Sequence, residues 1–139
     1  MTRAVVPLLV PLLLVSRPAV AEHDVQSRYV VLGYVQDTAG RPVPATSVEL
    51  IRDKTGFSYL ADTDDNGLFV LLARLGDESA GEPLTLRVGL LTMPITARFD
   101  PANHTDERGT RVDLEGTRFV ERAAWFRSTL AHFLGSSTR

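Results

Sequence analysis

From residue 28 to residue 115 the apolar residues fall in short runs with a two-residue period, and that pattern constrains the fold more than any other feature. Leu84, Leu86, Val88 and Leu90 alternate with Thr85, Arg87 and Gly89, which predicts a strand with the four large aliphatics on one face. Val112 and Leu114 alternate with Arg111, Asp113 and Glu115 in the same way. Residues 29–35 and 68–72 are apolar on both faces, as expected for central strands or for strands with a covered outer face. Residues 48–51, 57–61 and 95–99 supply the remaining runs, seven in all. Short strands at such spacing read as an all-β, seven-stranded antiparallel sandwich. A parallel α/β sheet is not expected, because it needs helical crossovers and no long helical pattern interrupts the runs.

The connections carry turn chemistry. Asp37-Thr38-Ala39-Gly40 offers a side-chain acceptor and a residue that tolerates positive φ, and Pro42 and Pro44 then hold the chain extended without donating to a ladder. Asp64-Asp65-Asn66-Gly67 lies between two apolar runs, and Asn-Gly there predicts a tight hairpin. Residues 76–83 and 100–110 read as longer polar loops.

After Gly116 the period changes. Phe119, Ala123, Phe126, Leu130 and Phe133 recur at helical spacing, which predicts an amphipathic helix over 117–135 with Thr117 as its cap and 136–139 as a polar tail.

Residues 1–21 differ from the rest. Arg3 precedes a 12-residue apolar run over 4–15, and Ala19-Val20-Ala21 follows, which is the layout of a signal peptide with its cleavage site. The run is too short to span a bilayer, which takes ~20 residues, and it contains Pro7 and Pro11. The expected product is a sandwich over 22–116 that is exported to the periplasm, the cell surface or the medium. The chain has no cysteine, so disulfides, thiolate metal sites and a cysteine nucleophile are excluded. Residues 22–116 carry 9 basic and 16 acidic side chains, whereas 117–139 carry 4 arginines against one glutamate. That balance gives no whole-chain basic field for nucleic acid.

Two segments together are similar to the opening of the carboxypeptidase regulatory-like domain. Gly33-Tyr34-Val35-Gln36-Asp37-Thr38-Ala39-Gly40-Arg41-Pro42-Val43-Pro44, then Val48-Glu49-Leu50, resembles its G-x-V-x-D-x-x-G-x-P pattern. Thr63-Asp64-Asp65-Asn66-Gly67-Leu68-Phe69 resembles the hairpin that follows in that family. Thr46 departs from the family, which has a small apolar residue there. The resemblance implies an immunoglobulin- or transthyretin-like sandwich with an accessory or adhesive role, and the C-terminal helix has no counterpart in it.

The candidate sites follow from residue chemistry. Asp62, Asp64 and Asn66 start like a calcium loop, but Ala73 stands where its bidentate glutamate belongs. His104 lies among Asp100, Asp106 and Glu107, without diagnostic ligand spacing. Asp62, Asp64, Asn66 and His104 are weak metal candidates, and calcium or carbohydrate binding at the 62–67 turn or the 100–107 loop is the alternative function. His23 suits a copper triplet only if cleavage falls one residue early. No nucleophile elbow, phosphate loop or zinc-protease motif is present. Intradiol dioxygenases resemble the 33–50 segment but require two Tyr and two His ligands, and His23, His104 and His132 are too scattered. Hydroxyisourate hydrolases end in Tyr-Arg-Gly-Ser, unlike this chain. The expectation is a non-enzyme without cofactor. Its partner-binding residues are Arg118, Phe119, Arg122, Trp125, Phe126, Leu130 and Phe133, which suit an envelope protein or an anionic membrane surface.

Overall fold

The computed structural model describes residues 24–137; the 1–21 leader, His23 and the end of the polar tail lie outside them. Eight strands form two four-stranded sheets. In chain order they are β1 (Tyr29–Gln36), β2 (Ser47–Arg52), β3 (Ser58–Asp62), β4 (Leu68–Ala73), β5 (Pro83–Val88), β6 (Leu91–Thr96), β7 (Gly109–Glu115) and β8 (Arg118–Glu121), and helix α1 (Phe126–Ser137) follows. One sheet runs β4-β1-β7-β8 and the other β3-β2-β5-β6. β1 pairs with β7 in parallel, and every other pairing is antiparallel. The core between the sheets is built from Tyr29, Val31 and Val35 of β1, Val48 and Leu50, Phe69 and Leu71, Leu84 and Leu86, and Val112 and Leu114.

The sandwich differs from the sequence expectation in four places. It has eight strands where seven were expected, and one pair is parallel. The eighth strand comes from the first part of the expected 117–135 helix. Gly116 takes φ +69 and reverses β7 into β8, so Thr117 sits in a turn rather than at a helix cap. Phe119 then packs against the inter-sheet core. Its spacing to Ala123 and Phe126 only coincides with a helical period, and the helix begins after a single 3-10 turn over Ala123–Trp125. Leu90, expected to share a face with Leu84, is fully exposed at a reversal that Gly89 opens with φ +60. The sixth strand is therefore Leu91–Thr96 rather than 95–99. Finally, the Asp64-Gly67 turn is no hairpin within a sheet: it carries the chain from β3 in one sheet to β4 in the other.

β1 has two working faces. Its odd residues enter the sandwich, while Val30 and Leu32 point outward and are buried under Phe126 and Leu130 of α1. Two glycines permit this layering. A Cβ on Gly33 meets the Val112 carbonyl oxygen at 1.7 Å, and one on Gly109 meets the Phe126 ring at 2.6 Å. At Gly33 the β1 and β7 backbones, and at Gly109 β7 with both β1 and the helix, approach more closely than any side chain allows.

Candidate functional site

The outer face of the β4-β1-β7-β8 sheet collects most of the residues with distinctive chemistry. Strand alternation puts Arg111, Asp113 and Glu115 of β7 on this face, beside Tyr34 of β1. Asp113 is 4% exposed and is the hub. It accepts the Tyr34 backbone N–H at 3.0 Å, two hydrogen bonds from Arg111 Nε and Nη2, and a short one from Arg122 Nη1. A buried carboxylate needs such an array to offset its desolvation. Arg122 also pairs with Glu115 at 2.9 Å, and this pair, with Asp113, holds its guanidinium above the ordinary value.

Trp125 rests on these cations. The guanidinium carbons of Arg111 and Arg122 stand 5.3 and 5.4 Å from its ring centroid, and Arg111 also lies 5.0 Å from the Tyr34 ring. Each such contact is worth about 0.5–1 kcal/mol at an exposed site. Thr129 ties the first turn of α1 to the cluster, accepting from Arg111 Nη1 at 3.0 Å and donating to the Trp125 carbonyl at 2.7 Å. The indole is left 53% exposed.

The seven expected partner-binding residues therefore separate. Phe126 and Leu130 are buried against the chain's own sheet, and Phe133 packs beside them. Phe119, partly buried, packs against the inter-sheet core. Arg122 is committed to Asp113 and Glu115. Trp125 and Arg118 are the exposed members. Sequence reasoning missed Tyr34, Arg111 and Asp113. The signal was present, since Arg111, Asp113 and Glu115 at alternate positions form a charged row on one strand face, but nothing in the sequence says that the row is buried.

The metal candidates do not converge. The Asp64 carboxylate accepts the backbone N–H groups of Asn66 and Leu68, so it serves the turn. His104 lies elsewhere, with Nε2 2.8 Å from Asp77, whose other oxygen is 2.9 Å from Arg108. Those contacts, Arg108 first, hold the Asp77 carboxyl below its ordinary range. Arg108 is 3% exposed and stacks 4.2 Å over Phe99, so this group fastens loops to one another. Among the described residues, no three His, Asp or Glu side chains form a set able to hold a metal ion.

A cleft of about 390 Å³ lies between the 98–109 stretch and the start of α1. Its charges largely cancel: Arg127 pairs with Asp106, and Glu107 with Arg28. No helix among the described residues is long and apolar enough to cross a membrane.

No family model matches the chain, and no curated protein matches it. Solved structures resemble it at a distance. Catechol 1,2-dioxygenase from Acinetobacter sp. ADP1 is 13% identical over 63% of this chain and 44% of that one, with a TM-score of 0.42. (S)-Allantoin synthase is 16% identical over 71% of this chain and 44% of that one, with a TM-score of 0.45. The dioxygenase domain of a carbohydrate-binding fusion from Streptomyces sp. SirexAA-E is 16% identical over 68% and 75% of the two chains, with a TM-score of 0.39. The chain thus spans less than half the length of the first two.

Proposed function

We propose that this chain is a non-catalytic interaction module of the carboxypeptidase regulatory-like kind. It acts outside the cytoplasm after removal of residues 1–21, and it binds a protein partner through Trp125 and Arg118. The observation that supports this reading most is the state of Trp125: a large aromatic, half exposed, yet held in place by two guanidinium groups. A pre-positioned Trp beside arginine is the composition of an interface anchor, and it loses little freedom on binding. A protein is favoured over a bilayer because the apolar stripe of α1 is turned inward onto Val30 and Leu32.

The test compares the native chain with Trp125→Ala and Arg118→Glu in capture from envelope extract. The reading expects one protein retained by the native chain and lost from both variants, whose melting temperatures stay within a few degrees of native. Equal retention by all three chains counts against it. Retention on anionic vesicles in place of protein transfers the site to the membrane reading.

A further inference from the structure

We propose that two copies of the chain pair through β3, antiparallel about a two-fold axis at Leu60, joining their β3-β2-β5-β6 sheets into one eight-stranded sheet. This goes beyond the Trp125 reading and involves the other sheet.

The two sheets have four edge strands, β4, β8, β3 and β6. A strand edge presents unpaired N–H and C=O groups, and proteins blunt it with proline, charge, short length or local capping. In β6 the bond from Ala97 N–H to the Glu82 carbonyl fixes which residues face β5, and Pro94 falls at an outward position where it has no donor to offer. β8 is four residues long and carries Arg118 and Glu121. At β4, Asp64 takes the Leu68 N–H with its side chain and gives its own N–H to the Leu68 carbonyl. β3 has no proline and no side chain that caps its outward groups, and its one charge, Asp62, stands at its end. Its bonds at Arg52–Phe57 and Thr46–Thr63 point Tyr59 and Ala61 at β2, which turns the backbone groups of Ser58, Leu60 and Asp62 outward. Among the described residues those groups take no backbone partner.

The side chains suit a second copy as partner. Pairing about Leu60 sets Ser58 against Asp62 of the other copy and Leu60 against its own equivalent, with about six backbone hydrogen bonds across the seam. Leu60 is 69% exposed and Phe57 59%, so apolar surface lies along the join. Charge is complementary at both ends. The same register brings the turn of Asp53 and Lys54, where the Asp53 carboxylate accepts the Thr85 hydroxyl and Lys54 is the chain's single lysine, alongside the other copy's turn bearing Asp64 and Asp65. The two-fold axis repeats that attraction at the opposite end of the seam.

Sedimentation of the purified protein from micromolar to millimolar concentration tests the pairing. The native chain is expected to dimerise. Leu60→Lys, which sets two like charges on the axis, should weaken the dimer at least about tenfold, with an unchanged melt at concentrations where both chains are monomeric. Leu60→Pro removes only an outward donor and should do the same. Because the chain has no cysteine, Leu60→Cys gives an independent reading: it should cross-link on mild oxidation far faster than Leu90→Cys, an exposed thiol away from the axis. A native chain that stays monomeric at millimolar concentration overturns the proposal. So does a dimer that survives both Leu60→Lys and Leu60→Pro, or equal cross-linking of the two cysteine variants.

Discussion

Asp113 shows what one buried charge does for this molecule. Its carboxylate fills the gap in the β1–β7 ladder opposite Gly33 by taking the Tyr34 N–H, and it anchors two arginines that carry Trp125. Asp113→Asn keeps the shape but removes the counter-charge from Arg111 and Arg122, a loss expected to cost about 3 kcal/mol. The chain has one tryptophan, so its fluorescence reports on this spot alone. Asp113→Asn should lower the denaturation midpoint and also raise the quenching of Trp125 by acrylamide in the folded state. A destabilised variant whose folded-state quenching matches native removes the positioning role. The sequence shows Gly33 as a motif glycine, but the reason for it, a Val112 carbonyl 1.7 Å from its absent Cβ, needs the parallel partner strand. Two residues 79 apart cannot be matched by local pattern.

Among the elements, strands with one buried face are legible because alternation and burial coincide: Leu84, Leu86 and Val88 are buried as the pattern predicts. Elements fail where two periods overlap or where one glycine ends a run. Phe119 to Phe126 fits a helical spacing, yet Gly116 and the free edge of β7 draw residues 118–121 into the sheet. The resulting C-terminal unit is part of the fold. α1 covers Val30 and Leu32, and burying Phe126 and Leu130 there contributes roughly 1.5–3 kcal/mol each before ordering costs. That is a large share of the ~5–15 kcal/mol typical of a domain. Truncation after Glu121 should therefore lower the melting temperature by ten degrees or more and expose surface that binds a hydrophobic dye. A truncated chain that melts like the native one shows that the helix adds nothing to the sandwich.

For the whole molecule, the opposite charges of body and C-terminal segment meet on one surface: Arg122 with Asp113 and Glu115, Arg127 with Asp106. The charge contrast that the sequence displays is thus spent largely within the chain, whereas Arg118 and Trp125 are exposed. The rest of the fold also leans on ionised carboxylates. Glu82 is 5% exposed and binds Arg52 at 2.6 and 2.8 Å, bridging the β2 end to the turn before β5. That hydrogen-bonded pair holds its carboxyl below the ordinary value of 4.5, and Arg108 and His104 hold Asp77 below 3.8. A carboxyl with a depressed folded value binds protons more readily when unfolded, so its stabilisation is complete above the ordinary carboxyl range. It is lost as pH falls below that range and through the folded value. Stability should be flat from pH 8 to about 6 and then decline steeply into acid. Glu82→Gln removes one contributor: at pH 7 it should cost about 2 kcal/mol, and in acid the two chains should converge because the native glutamate is then protonated too. Thermal melts of both chains from pH 7 down into the acid range measure the gap, and a difference that stays constant throughout removes Glu82 ionisation from the account.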